Sequence, residues 1–354
     1  MNEESNIMNP LQKLISDKKL IFTGLIILVV VLFALDIFFG SVSIRPSDVI
    51  HAIFSSTDKS LETIIFRFRI PKALTALIVG IALSLSGLQM QTVFRNPMAG
   101  PYVLGISSGA SLGVAFVILG FSAQMSPGSL QGLGNWALVV ASWLGAGAVM
   151  ILIMFISVRI RDILTVLILG IMLSSGISAI VSIMQYFSNE TMLKAYVIWT
   201  MGSLGNLTSQ QLQVLVISVS AGVILNVISV KMLNALLLGE NYAASIGLNV
   251  KFARLIIFAG TSILAGSVTA FCGPIGFIGI AVPHIARIIF RTSDHNILIP
   301  ATILIGGSVM LLSDIISQLP GSESVLPVNS VTSLVGIPVV IWVILRNRKY
   351  SGAF

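Results

Sequence analysis

Apolar residues gather in long unbroken runs along this chain, with short polar segments between them. A helix that spans a bilayer needs roughly 20 consecutive apolar residues, and most of the runs approach or exceed that length. The runs are continuous rather than alternating, which favours membrane helices over the strands of a barrel. The pattern predicts ten spans, at 20–39, 73–93, 102–121, 136–158, 163–187, 212–230, 252–272, 275–290, 297–317 and 325–345.

Composition supports the same fold class. Of the 354 residues, 56% are hydrophobic and only 9% are charged, whereas a soluble domain carries about 25% charged residues. Lipid must therefore be the main solvent, and we expect an all-α membrane protein. Residues 20–349 should form a single polytopic membrane domain, with a cytoplasmic lead over 1–19 and a short cytoplasmic tail over 350–354.

Residues that carry bond chemistry are sparse. The single cysteine, Cys272, excludes an internal disulfide, and the three scattered histidines do not have the spacing of metal ligands. The sequence contains no phosphate-binding G-x-x-x-x-G-K-[ST] motif and no H-E-x-x-H motif. We therefore expect no metal site, no resident cofactor, no nucleic-acid partner and no enzymatic activity in this chain.

The distribution of cations predicts the orientation, because Lys and Arg in short loops favour the cytoplasm. Ten spans place both termini on one side. If that side is the cytoplasm, six of the twenty cations lie outside and fourteen lie inside. The six outer cations are Arg45, Lys59, Arg67, Arg69, Lys72 and Lys194. Five of them lie in one outer loop, 40–72, which is the exception to the rule.

The stretch FRFRIPKALTALIVG ends that loop, and it places Arg67, Arg69 and Lys72 just before a long apolar run. Cations at a helix N-terminus gain nothing from the helix dipole, so another reason for their position is needed. One interpretation is that the loop is long enough to escape the rule and its charges mark the membrane interface. The other is that they dock an acidic partner outside the cytoplasm.

Small and polar residues recur at helical spacing in two of the runs. Gly105, Gly109 and Gly113 form a smooth face that lets another helix approach closely, so packing is the favoured interpretation. Polar side chains that could instead line a solute path are Ser107, Ser108 and Ser111, together with the stripe Ser174, Ser178 and Ser182. Serines in membrane helices also bond to their own backbone, so both interpretations of the stripe stay open.

Two further segments carry unusual residues. Between the sixth and seventh runs, in a cytoplasmic loop over 231–251, Gly239 and Gly247 bracket a short stretch with helix-forming alanines, which predicts a small helix. This helix is either an ordinary connector or a contact for a soluble partner, and the length of the loop favours the contact. Near the end, glycines and Pro283 break the eighth run. Asp36 and Asp314 lie near the outer ends of their spans, where interfacial anchoring is the favoured role.

Five motifs in order resemble those of the FecCD family, the membrane subunits of ABC importers for ferric siderophores, haem and cobalamin. They are RIPKAL at 69–74, RNPMAGPYVLGISSGA at 95–110, GENYAASIGL at 239–248, GPIGFIGIAVPHIAR at 273–287 and LPVNSVTSLVGIPVVIWVI at 326–344. The resemblance covers about residues 61–349. Weak similarity between AGPYVLGI and CGPIGFIGI agrees with inverted-like halves.

The resemblance implies a type II ABC importer permease fold and several partners. A second copy of the chain would form a homodimer with the solute path at its interface. Two cytoplasmic ABC ATPase subunits would bind ATP and Mg, and an extracytoplasmic solute-binding protein would deliver the chelate. The chain would reside in the inner membrane and switch by alternating access. An ion-coupled secondary transporter is the alternative, and it would need a coupling-ion site.

Site residues follow from the same motifs. The resemblance implies binding-protein docking by Arg69 and Lys72, with Gln318 standing where many members have a third arginine. It implies ATPase coupling by Gly239, Glu240, Ala243, Ala244 and Gly247. Asn329 replaces an apolar residue of the family pattern and becomes a candidate for the path. The matching cytoplasmic motif residues are Arg95, Asn96, Pro97, Pro283, His284 and Arg287.

Overall fold

A computed structural model describes residues 10–40, 44–45, 47–49, 59–120, 129–160, 162–205, 207–318 and 325–348. The predicted tail 350–354, residues 1–9 of the predicted lead and much of the predicted outer loop lie outside this part of the chain. Within it, every regular element is a helix. The helices are α1 (Pro10–Phe38), α2 (Lys59–Ile64), α3 (Ile70–Val93), α4 (Ile106–Ile118), α5 (Ser129–Arg159), α6 (Ile163–Tyr186), α7 (Glu190–Thr200), α8 (Ser209–Ile228), α9 (Val230–Leu237), α10 (Glu240–Ser245), α11 (Val250–Cys272), α12 (Ile278–Phe290), α13 (His295–Ser317) and α14 (Val328–Arg348).

All ten predicted runs contain an apolar helix, which confirms the all-α class. Seven helical segments of the described chain are long and apolar enough to cross a membrane. The other three runs hold shorter apolar helices, at Ile106–Ile118, Ile278–Phe290 and Val328–Trp342. Thirteen residues of helix span only about 20 Å, so α4 and α12 need the irregular segments before them to cover the depth of the bilayer.

Helix α3 forms the centre of the bundle. The apolar window that contains it is 78% buried, against 6% for the window of α1, so α1 faces outward along most of its length. Small residues permit the close packing of α3. A Cβ atom at Gly80 would overlap the backbone of Gly306 in α13, and one at Gly87 would overlap Gly279 in α12. Backbones approach this closely in membrane bundles only where glycine removes the side chain.

Helices α4 and α5 pack in the same way. Gly109 lies against Gly145, and a Cβ atom at Gly113 would overlap the carbonyl of Ala141. Gly105 adopts a left-handed conformation (φ 77°) at the start of α4, which suits a residue without a side chain. The glycine stripe predicted from the sequence therefore lies in a helix–helix contact.

The predicted outer loop 40–72 is helical in its final part. Helix α2 runs through a π-helical turn (Ile65–Arg69) directly into α3, with Pro71 at the start of α3. Proline has no N–H to donate, and a wider turn just before it relieves the missing hydrogen bond. The final part of the predicted outer loop is therefore helical and continuous with α3, because Pro71 is accommodated in the first turn of that helix.

The break between α11 and α12 is held from two sides. Gly273 and Phe277 both have positive φ values, 76° and 66°. The hydroxyl of Tyr102 donates to the carbonyl of Ile275 and accepts from its N–H group. The side chain of Asn329 accepts a hydrogen bond from Gly276 N at 3.0 Å. These contacts fix an irregular segment whose backbone groups would otherwise lack partners in a membrane.

Candidate functional site

The predicted functional residues fall mainly into two polar regions at opposite ends of α3. Lys72 lies in the first turn of this 24-residue helix, and Arg95 follows its last turn. At 1.5 Å per residue, the two positions are about 35 Å apart. We call them the Lys72 end and the Arg95 end.

At the Lys72 end, Arg69 caps the last turn of α1. Its Nη1 donates to the carbonyl oxygens of Ile37 at 2.8 Å and Phe38 at 2.9 Å. The residue is only 8% exposed. Gly40 lies against the guanidinium, since a Cβ atom at Gly40 would stand 2.9 Å from Nη2 of Arg69. The sequence placed Arg69 on a docking surface, and the structure places its side chain inside the chain.

Lys72 forms an ion pair with a buried acid. Its Nζ lies 3.0 Å from Oδ1 of Asp314, which has no solvent exposure, while the Lys72 side chain keeps 20%. Gln318 joins the two acids, because its Nε2 donates to Asp36 Oδ1 at 2.9 Å and to Asp314 Oδ2 at 3.1 Å. Asp36 is 3% exposed. The interpretation of Asp36 and Asp314 as interfacial anchors is therefore wrong, because both are buried in a polar cluster between α1, α3 and α13.

A cavity of about 750 Å³ opens onto this cluster. Arg69, Lys72 and Gln318 contribute polar groups to its lining, and much of the rest of the wall is apolar. Exposed apolar side chains stand among the lining residues: Phe68 is 63% exposed, Val325 is 52% and Met201 is 42%. Of the three residues predicted to dock a partner, Lys72 is the one whose side chain remains partly accessible.

At the Arg95 end, the short helix predicted between the two glycines is present as α10. Gly239 (φ 105°) and Gly247 (φ 91°) flank it in conformations that suit residues without a side chain. Ala243 is fully buried, whereas Ala244 faces outward. The helix therefore has one face against the bundle and one face free within the single chain.

Glu240 fastens α10 to the bundle through Arg254. The guanidinium makes two contacts with the carboxylate, from Nε to Oε1 at 2.8 Å and from Nη2 to Oε2 at 2.5 Å. Nη1 of Arg254 also donates to the carbonyl oxygen of Ile160 at 3.1 Å, beyond the last residue of α5. Such paired contacts fix direction as well as distance. The sequence motifs identified Glu240 but not its partner Arg254.

Large apolar side chains surround the free face of α10. Leu238, Tyr242, Ile246 and Phe252 have exposed fractions of 63%, 49%, 58% and 56%. Exposed polar residues, among them Asn249 and Lys251, stand between them. We call Leu238, Tyr242, Ile246 and Phe252 the α10 patch. The sequence contains the four apolar residues of this patch, but the prediction for this segment used only its glycines and alanines.

The predicted cytoplasmic motif residues meet next to α10. Nε2 of His284 lies 2.8 Å from the carbonyl oxygen of Pro97, and the side chain of Asn96 accepts from Met98 N. Arg287 donates to Gln91 in α3. Arg95 reaches the start of α10, since a Cβ atom at Gly239 would lie 3.3 Å from its Nη1. Residues from three separate motifs thus form one corner. Pro283, the neighbour of His284 in α12, is buried.

The candidate path residues are not brought together in one place. Ser174 donates to the carbonyl of Gly170 at 2.8 Å and Ser182 to that of Ser178 at 2.9 Å, so both bond to their own helix. Ser111 is half-buried in α4. Ser107 and Ser108 are half-buried, and Ser178 is exposed. Asn329 holds Gly276, as described above, so it has a structural partner in this chain.

Comparisons with known proteins fit this architecture. The chain matches the FecCD transport family over residues 27–346. It is 37% identical to the vitamin B12 import system permease protein BtuC of Klebsiella pneumoniae over 285 residues, covering 80% of this chain and 83% of the relative. It is 35% identical to the hemin transport system permease protein HmuU of Yersinia pestis over 297 residues, covering 83% and 87%.

A solved structure shows the same fold. It is described as an inward-facing conformation of a metal-chelate type ABC transporter, and it matches with a TM-score of 0.79 at 28% identity, covering 92% of this chain and 99% of that one. The fold is therefore that of a type II ABC importer permease, a multi-pass helical membrane protein. The chain belongs to the FecCD transport family.

Proposed function

We propose that this chain is the permease subunit of an ATP-driven importer for an iron–siderophore, haem or cobalamin complex. The match to the FecCD family over nearly the whole chain, with BtuC and HmuU among its relatives, carries this proposal. The chain performs no bond chemistry in this scheme. A separate ATPase subunit binds ATP and Mg, and a solute-binding protein delivers the chelate on the opposite side of the inner membrane.

The α10 patch is the proposed contact with the ATPase. An exposed apolar patch edged by polar residues is typical of a protein–protein interface. The Glu240–Arg254 pair and the buried Ala243 hold α10 rigidly to the bundle, so a push on the patch would reach α5 and α11. Gly239, Glu240 and Ala243 position the helix in this scheme, while Ala244 and Gly247 lie on its exposed side.

A second copy of the chain is the proposed partner for the outward face of α6. The apolar window of α6 is 22% buried, and its exposed side carries Met172 and Ser175 as well as Ser178. A homodimer would cover this face and enclose a weakly polar path between the copies. The solute would enter and leave by alternating access as the ATPases close and open.

Docking of the binding protein is proposed at the Lys72 end, outside the cytoplasm. Lys72 would contact an acidic group of the partner. Arg69 and Gln318 would stabilise the site through their hydrogen bonds to the end of α1 and to the two buried acids. Both termini and residues 231–251 would then be cytoplasmic, in agreement with the cation distribution. Exposed ion pairs contribute up to about 1 kcal/mol each, so several pairs would mainly raise the rate of encounter.

Copurification and transport test the function together. Affinity-tagged permease, extracted from its native membrane, should carry an ATPase subunit, and proteoliposomes with both should hydrolyse ATP faster when loaded binding protein is added. Visible absorption of the solute held by that binding protein would identify the chelate class. Uptake that needs an ion gradient but no ATPase would overturn the proposal in favour of a secondary transporter.

A further inference from the structure

Lys72, the cation proposed for docking, already forms an ion pair with an acid of the same chain. Lys72 Nζ pairs with Asp314 Oδ1 at 3.0 Å, yet the Lys72 side chain keeps 20% of its surface exposed and lines the 750 Å³ cavity. Asp314 is fully buried behind it. The ammonium therefore stands at the boundary between an internal acid and the space that a partner would enter.

The two members of the pair differ in freedom of movement. The carboxylate of Asp314 is held in place, because its Oδ2 accepts from Nε2 of Gln318 at 3.1 Å. The hydroxyl of Ser317 donates mainly to the backbone carbonyl of Asp314 at 2.7 Å and lies 3.2 Å from Oδ1. Lys72 is a single charge on a flexible four-carbon stem. Gly205, in the loop before α8, lies beside this stem, and a Cβ atom there would stand 3.7 Å from Lys72 Cδ. Because glycine has no side chain, this loop leaves room for the lysine stem to move. The lysine is the partner that can turn outward.

A carboxylate that enters the cavity must share or take Lys72 from Asp314. Asp36 stands in the same cluster, joined to Asp314 through Gln318. Asp314 lies directly behind the docking cation, and its attraction for Lys72 competes with that of any other carboxylate. Arg69 lines the cavity too, but it donates to the carbonyls at the end of α1.

We infer that Asp314 is an internal competitor for Lys72, which weakens the docking of an acidic partner and so sets how readily the partner is released. This inference rests on the proposed docking role of Lys72. It assigns to Asp314 a role in tuning the interface, although its side chain is buried and out of direct reach of the partner. An internal acid that competes for the docking cation provides a means of release.

The test measures binding of the importer's own solute-binding protein to the full-length permease in nanodiscs at low salt. Asp314→Asn keeps the shape and an acceptor for Lys72 while removing the charge. We expect it to lower Kd about five-fold, the scale of one partly exposed ion pair. Lys72→Met should raise Kd by a similar factor. In the Lys72→Met background, Asp314→Asn should have little further effect on Kd, because the ammonium for which Asp314 and the partner compete is gone.

Asp294→Asn is the matched control, since it removes one acid from the other end of the same helix and leaves an amide at its N-cap. Its Kd should equal that of the parent. Melting temperature in the nanodisc reports folding, and Asp314→Ser replaces Asp314→Asn if the amide variant does not melt like the parent.

The outcomes separate the two proposals. If Lys72→Met weakens binding but removal of the Asp314 charge leaves Kd unchanged or raises it, Asp314 is only a structural partner and the inference is wrong. If Lys72→Met changes neither Kd nor its salt dependence, the docking role itself fails.

Discussion

Arg69 at the Lys72 end and Arg254 at the Arg95 end both bind the carbonyl oxygens at the end of a helix, but they stabilise different parts of the structure. Each is buried, and each donates to carbonyl oxygens at the end of a neighbouring helix, α1 for Arg69 and α5 for Arg254. A cation is favourable there because the last carbonyls of a helix lack partners and carry partial negative charge. Arg254 additionally holds Glu240, whereas the acids near Arg69 face Lys72 and Gln318.

This difference shows how each end is built. At the Arg95 end Glu240 and Arg254 pair with each other and fix α10, and the surface left for a partner is the apolar α10 patch with exposed polar residues such as Lys251 between its members. At the Lys72 end a cation remains partly accessible, and the surface combines charge with an apolar rim. Apolar interfaces are typical of subunits that stay attached, while charged contacts mainly raise the rate at which a partner is encountered.

The largest effect should come from Arg254→Met. Loss of the guanidinium leaves Glu240 without its partner and frees carbonyls at the end of α5, so we expect a loss of about 3 kcal/mol in the free energy of unfolding. Titration with SDS in mixed micelles measures this quantity. Glu240→Gln serves as the control and should cost much less, because its amide can still accept from Arg254. Equal losses in the two variants would contradict the role given to Arg254.

Arg69→Met should destabilise the fold by about 2 kcal/mol, because the hydrogen bonds lost are those of a charged donor. The same titration applies. Binding-protein affinity, measured on the folded fraction of Arg69→Met, shows whether Arg69 has a docking role that Arg254 does not have. An unchanged affinity would leave Arg69 as a cap of α1, and a large fall in affinity would return it to the docking surface that the sequence predicted.

Asn329→Leu should have a smaller effect, about 1 kcal/mol, because it leaves the N–H group of Gly276 without its acceptor. Asn329→Asp keeps an acceptor and should lie nearer to the parent. If solute uptake falls in Asn329→Asp while stability does not, Asn329 belongs to the path rather than to the break between α11 and α12.

The sequence predicted the helices better than the roles of the cations. Apolar runs define spans directly because lipid selects for them, and the glycine stripe of α4 predicted close packing. The partners of Arg69 lie 31 and 32 residues away in the chain, and Asp36 lies 282 residues from Gln318. Contacts over such separations depend on which helices become neighbours, and spacing along the chain does not reveal that.

The sequence did not predict the α10 patch, for a different reason. Its glycines and alanines identified the helix, but Tyr242 and Ile246 looked like ordinary apolar residues of a membrane protein. Their significance comes from exposure beside polar groups at the end of the bundle. In the same way, Asp314 looked interfacial because it lies near the end of its run, and only the packing of α1 and α3 against α13 buries it.

Affinity of the importer's ATPase subunit for the permease in nanodiscs tests the central claim most directly, because the account requires the α10 patch to couple the two. The variant is Tyr242→Ala with Ile246→Ala, and the control is Ile27→Ala with Val30→Ala, which truncates two similarly exposed side chains on α1. We predict at least a ten-fold loss of ATPase affinity in the first variant, none in the control, and unchanged melting temperatures in both. Equal affinities in the two variants and the parent would contradict the account.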